Sequence, residues 1–164
     1  MYEIEERENL LYIAYGSNLN VAQMKIRCPY ATVVGSATLK DYQLLFRGGN
    51  GGSVATVEPK DGSSVPVLIW EITPRCEDAL DRYEGWPRFY RKETVAVEVG
   101  SKLVETMVYI MNDGHPLGSP SQGYLNTIVE GYKTAGFDQQ VLSDALAAST
   151  LHHKYPNFRW ESAE

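Results

Sequence analysis

The sequence predicts an α+β protein with a mostly antiparallel sheet or a small barrel. Three observations carry that reading. Strand-like runs dominate the first 72 residues, turn pairs such as Asp61-Gly62 and, further on, Gly100-Ser101 punctuate the strands, and capped helices are inserted among them and then gathered at the C-terminal end.

The elements follow in order. Residues 10 to 15 (LLYIAY) form a continuous apolar run, which reads as a strand buried on both faces. GSNLN punctuates it, and Asn18 or Asn20 is placed to cap a short helix through Val21, Met24 and Ile26 that Pro29 ends. From Ala31 to Phe46 the β-branched and aromatic content reads as one long or two short strands. Gly48 to Gly52 make a hairpin loop into a strand at Ser53 to Glu58, and Val65 to Ile72 reads as a further strand introduced by Asp61-Gly62.

A well-signalled helix comes next. Thr73 is placed as N-cap and Pro74 as N1, with Glu77 and Asp78 complementing the dipole in the first turn. Cys76, Ala79, Leu80 and Tyr83 make its apolar stripe, and Gly85 and Pro87 stop it. Strands at Phe89 to Val99 and Lys102 to Met111 are joined by Gly100-Ser101. A helix from Ser119, with Pro120 and Gln122 completing a capping pattern, runs to Gly136 and buries Leu125, Ile128, Val129 and Tyr132. Asp138 caps a last helix with Leu142, Ala145, Leu146 and Ser149 on one side.

Composition bounds the function. The 164 residues suit one compact domain, residues 1–164, with 152–164 as a C-terminal tail. With 15 Lys+Arg against 21 Asp+Glu, the net charge of -6 argues against nucleic acid or an anionic membrane as partner, since both require a basic face. No stretch approaches the roughly 20 apolar residues that span a bilayer, and the acidic MYEIEERE lacks the basic start of a signal peptide. Cys28 and Cys76 lie far apart without metal-ligand spacing, so they read as reduced thiols in a cytoplasmic protein.

Two places suit chemistry. At Tyr15-Gly16-Ser17-Asn18-Leu19 a buried strand empties into a glycine turn and a helix start, which presents unpaired N–H groups to a carboxylate or phosphate. The bland reading is a tight turn with an Asn cap. With neither a Walker lysine nor a GxGxxG, a nucleotide site is not supported. The second place is Glu84, at the last turn of a helix, where the dipole's negative end opposes a carboxylate. Tyr83, Trp86, Phe89 and Tyr90 flank it, and desolvation by them would push its pKa toward the range of a general acid or base. The alternative is a solvated Glu84, or one paired with Arg82, Arg88 or Arg91. His115 in the NDGHPLG loop is a weaker candidate base, and the adjacent His152 and His153 make a poor metal pair. The 11 Tyr against 4 Phe would suit a pocket with polar rims, or half-buried barrel positions.

YIAYGSNL (Tyr12 to Leu19), EGWPRFY (Glu84 to Tyr90) and YLNTIVEGYKTAGF (Tyr124 to Phe137) together resemble the γ-glutamylcyclotransferase-like family, which includes AIG2-like proteins. The resemblance implies a small, mostly antiparallel mixed β-barrel flanked by helices, with a substrate pocket at the barrel mouth. It further implies that Tyr12, Ile13, Ala14, Tyr15, Gly16, Ser17, Asn18 and Leu19 form the substrate-holding loop, that Glu84 is the catalytic acid/base, and that Tyr124 lines the site. The expected activity is conversion of a γ-glutamyl amino acid or amine to 5-oxoproline and a free amine, without metal or organic cofactor, by a monomer or homodimer. A non-catalytic module that binds a small carboxylate or phosphate on the Tyr15-Gly16-Ser17-Asn18 loop is the competing reading.

Overall fold

The computed structural model describes residues 7–49 and 52–151, so the expectations for His152, His153 and the tail fall outside the described residues. Five strands close into a barrel in the order β1-β3-β2-β4-β5. They are β1 (Leu10–Ala14), β2 (Thr32–Arg47), β3 (Val54–Ile72), β4 (Tyr90–Val99) and β5 (Lys102–Met111). Every neighbouring pair is antiparallel except β1 with β5, a parallel contact at Tyr12 and Met107 that shuts the barrel. The fold is the expected mixed barrel of an α+β protein. Its interior is filled by Ile13, Leu39, Phe46, Val57, Val67, Ile69 and Val108, all essentially inaccessible to water.

The segment expected as two strands, Ser53 to Glu58 and Val65 to Ile72, is one strand of 19 residues. Asp61-Gly62 bends it rather than ending it. The register against β2 shifts between Lys40 and Tyr42, where Asp41 takes φ 63° and its Oδ1 accepts from the Gly62 N–H at 2.9 Å. A bulge of this kind satisfies the freed backbone groups and lets a long hairpin wrap the barrel.

Among the described residues four α-helices flank the sheet: α1 (Val21–Arg27), α2 (Pro74–Glu84), α3 (Gln122–Ala135) and α4 (Gln140–Leu146). Asn20 is the cap of α1, its side chain accepting from the Gln23 N–H. That helix ends at Cys28 and buries Met24, whereas Ile26, expected on its apolar side, is 78% exposed. For α2 the signals act as read: Thr73 accepts from the Cys76 N–H, Pro74 opens the helix, and Gly85 ends it in the left-handed region at φ 67°. The cap of α3 is Ser121 instead of Ser119, because Ser121 Oγ is the oxygen that accepts from the Tyr124 N–H. Gly136 closes α3 at φ 74°. Asp138 accepts from the Gln140 N–H ahead of α4, which continues as a π-helical turn over Ala147–Leu151. Ser149 on that turn is buried and accepts from the Phe46 N–H.

The cysteine expectation is overturned. Cys28, at the end of α1, and Cys76, in the first turn of α2, form a disulfide with their Cα atoms 5.1 Å apart. Two helices far apart in sequence bring the sulfurs together, so spacing along the chain carried no sign of it. The argument for a reducing compartment from free thiols goes with it. Among the described residues no helix is long and apolar enough to cross a membrane.

Candidate active site

The site is assembled where β1 leaves the barrel. After Ala14 the chain passes Tyr15 and Gly16 into a single 3₁₀ turn, Ser17–Leu19. That turn's own hydrogen bonds begin at Leu19, which donates to the Gly16 carbonyl at 3.0 Å, and Asn20, which donates to that of Ser17 at 3.0 Å. The N–H groups of Ser17 and Asn18 therefore have no backbone acceptor among the described residues, and they belong to a turn whose side chains are buried. A Cβ on Gly16 would lie 3.1 Å from Ala55 Cβ and 3.5 Å from the Tyr124 hydroxyl, so a larger residue would displace one wall of the site.

Beside the turn lies a cavity of about 480 Å³. Its wall includes Tyr12, Ile13, Tyr15, Gly16, Ser17 and Asn18 from the β1 end, Glu84 from the last turn of α2, and Tyr124 from α3. Eight of the ten residues expected at the site thus line one hollow. Ala14 and Leu19 do not. Both are buried in the core, and Leu19 packs against Gly131 of α3, where a Cβ would come within 2.7 Å of the Leu19 Cβ. Their part is to seat the turn on the barrel and on α3.

Hydrogen bonds hold the walls. Asn18 Nδ2 donates to the Tyr12 hydroxyl at 3.0 Å, and Trp70 Nε1 donates to the Asn18 carbonyl at 3.2 Å. Ser17 Oγ and the Tyr83 hydroxyl share a hydrogen bond of 2.9 Å, tying the turn to α2. The Ala55 N–H donates to the Tyr124 hydroxyl at 3.0 Å, which leaves that phenol's own proton available to the cavity. Tyr90 donates to the Ala55 carbonyl and Tyr15 to the Tyr109 carbonyl, each at 2.6 Å. Tyr83, Tyr90, Tyr109, Val54 and Ala55 line the cavity too. No local motif marks these last two or Tyr109; strand register brings them in.

Among the described residues Glu84 is the only carboxylate that lines the cavity. No arginine pairs with it among the described residues: Arg91 is bound to Glu93 at 2.9 Å and to the Met111 carbonyl. Burial pushes its pKa up to about 7, against a smaller lowering by the positive charge of Arg27. Desolvation is thus the leading cause. Of the four aromatics flanking it in sequence, Tyr83, Phe89 and Tyr90 line the cavity, while Trp86 turns outward beneath the Lys92 ammonium, 4.2 Å from its ring centre. The surrounding phenols of Tyr12, Tyr15, Tyr90 and Tyr124 are all pushed upward by burial and stay protonated near neutral pH. Chemically the hollow combines one group able to exchange a proton near pH 7, a ring of neutral hydroxyls, and main-chain donors suited to an anion.

His115 lies elsewhere. It faces a second cavity and packs on Phe89, ring centres 4.8 Å apart.

Comparison with known proteins identifies the family and the fold. A family model described as gamma-glutamyl cyclotransferase, AIG2-like, matches residues 12–128. A gamma-glutamylcyclotransferase of Mus musculus is 29% identical, with the match covering 92% of this chain and 84% of that protein. One of Homo sapiens is 29% identical, covering 80% and 74%. A solved structure of a gamma-glutamyl cyclotransferase superposes with a TM-score of 0.74 at 26% identity, over 96% of this chain and 95% of that one. A barrel of this topology, with its cavity between the YGSNL turn and a glutamate, belongs to a chain of the gamma-glutamyl cyclotransferase, AIG2-like family.

Proposed function

We propose that the cavity converts a γ-glutamyl amino acid or γ-glutamyl amine to 5-oxoproline and a free amine, with Glu84 as the acid/base. The reading rests on one observation above the others: a carboxylate with no ion-pair partner among the described residues lines the same hollow as the turn's N–H groups, which have no acceptor among those residues.

In this reaction the substrate's α-amine attacks its own γ-carbonyl. A new bond joins the α-nitrogen to the γ-carbonyl carbon, and the original amide C–N bond at that carbon breaks. An α-amine with a pKa of about 8 carries a proton near neutral pH, so a base must remove it first. A carboxylate tuned to about 7 is well matched to accept that proton and to return one to the departing nitrogen. The N–H groups of Ser17 and Asn18 would hold the α-carboxylate, bending the glutamyl chain toward itself. Ring closure is intramolecular, and a correctly folded substrate gains an effective molarity of roughly 10⁵–10⁸ M. Tyr124, with its hydroxyl proton free, is suited to donate to the oxyanion that develops at the γ-carbonyl. The volume falls inside the roughly 300–1,000 Å³ common for small-molecule sites.

The test is a panel of γ-glutamyl dipeptides and γ-glutamyl amines, followed by 5-oxoproline release. Wild-type protein is expected to form 5-oxoproline from at least one of them and Glu84→Gln from none. Recovery of every compound unchanged, with one of them bound at the turn, would replace catalysis by a binding module. Undiminished turnover by Glu84→Gln would remove that carboxylate from the mechanism.

A further inference from the structure

Arg27 is the last residue of α1 and does not line the cavity, yet it touches both sides of it. Its Nη1 donates to Asn18 Oδ1 at 2.8 Å, and its Nη2 donates to Gln23 Oε1 at 3.1 Å. The face of its guanidinium lies over the Tyr83 ring, 3.8 Å from the centroid. Asn18 in turn holds the Tyr12 hydroxyl, and Tyr83 holds Ser17. One planar cation thus links the anion-holding turn to the helix that ends in Glu84. Only a guanidinium combines a two-pronged donor with a flat face for stacking.

The charge is placed with equal effect. Among the described residues Arg27 forms no salt bridge; amide oxygens accept its two hydrogen bonds, and these do not cancel its charge. Around Glu84 stand Tyr12 of β1, Tyr15 just after it, Tyr90 of β4 and Tyr124 of α3, all neutral near pH 7. Tyr83 and Arg82 of its own helix complete the titratable groups on that wall, with Tyr109 of β5 hydrogen-bonded away to Asp81. Arg27 is the charged side chain whose field acts on the carboxylate, opposing the effect of burial.

We propose that Arg27 is the positioning residue of this site: it fixes Asn18 and Tyr83 in their cavity-lining geometry and holds a positive charge within reach of Glu84. The proposal rests on the ring-closing reading for its kinetic consequences, but not for its electrostatic one.

Two variants of the full chain separate its parts. Arg27→Met removes the charge, the fork and the flat face; Arg27→Lys restores the charge alone. The Glu84 carboxyl is titrated in each by infrared difference spectroscopy against the same chain carrying Glu84→Gln, without substrate. That measurement tests Arg27 even if no γ-glutamyl compound is turned over. In Arg27→Met the Glu84 midpoint is expected to rise by at least about half a pH unit, roughly threefold in proton affinity, and in Arg27→Lys to stay at the wild-type value. With an active substrate, both variants should raise KM about tenfold with a smaller change in kcat, because the turn that holds the carboxylate is loosened. Should Arg27→Met lose its near-ultraviolet circular dichroism, Arg27→Lys carries the test through KM. An unchanged midpoint in Arg27→Met, or an unchanged KM in Arg27→Lys, would overturn the proposal.

Discussion

The barrel carries two hollows of similar size, and they are built on opposite electrostatic plans. The first, about 480 Å³, has one carboxylate, a ring of phenols and no ion pair in its wall among the described residues. The second, about 570 Å³, is lined by Arg47, Glu58, Arg91, Asp113 and His115. There the arginines are already engaged: Arg47 with Glu58 and the His115 carbonyl, Arg91 with Glu93 and the Met111 carbonyl. Charge satisfied by a neighbour does little to a ligand, whereas a lone, partly buried carboxylate keeps an altered proton affinity that chemistry can use. Volume alone would have favoured the second hollow.

Breaking the comparison at its strongest point means removing the lone carboxylate. Glu84→Gln should lower kcat/KM for 5-oxoproline release by about 10³-fold or more, with near-ultraviolet circular dichroism unchanged.

The two hollows are also braced differently, the first by the Cys28–Cys76 link between the helices behind its wall, the second by ion pairs. Cys28→Ser with Cys76→Ser should lower unfolding stability by about 2–4 kcal/mol, read as a shift in urea midpoint. Arg47→Met, which breaks the partly exposed pair with Glu58, should cost about 1 kcal/mol or less and leave turnover as it was.

The sign of the Glu84 shift fixes a pH dependence of stability. Its folded pKa of about 7 lies above the ordinary 4.5, so between these values the folded chain binds more protons than the unfolded one. Stability contributed by this group is therefore full below 4.5 and is lost as pH rises through 7. Glu84→Gln should accordingly be more stable than wild type at pH 8, by on the order of 2 kcal/mol, and no more stable at pH 4. The smallest effect belongs to the second hollow: His115→Ala should keep turnover within about twofold of wild type.

Much of this was legible in the sequence because it was local. Thr73-Pro74 and Gly85 mark both ends of α2, and so they place Glu84 at a helix end; the apolar run before Gly16 places the turn after a buried strand. What escaped depends on tertiary contact. Asp61-Gly62 looks like a strand end until Asp41, on the facing strand, satisfies the Gly62 N–H. Cys28 and Cys76 meet only because α1 and α2 pack together, and Arg27 reaches Tyr83 by the same packing. Gln122 lies three positions after Ser119, which satisfies a capping pattern, yet the oxygen that bonds is that of Ser121. Barrel closure rests on a single parallel bridge between β1 and β5, which no periodicity announces.

The measurement that bears most directly on this account is the pH titration of one carboxyl, followed by infrared difference between wild type and Glu84→Gln from pH 4 to pH 9. A protonated carboxylic-acid band that persists at pH 6 and disappears around pH 7 is the expected result. A band already gone by pH 5 would contradict it, leaving the cavity with an ordinary carboxylate and no group tuned to move the proton.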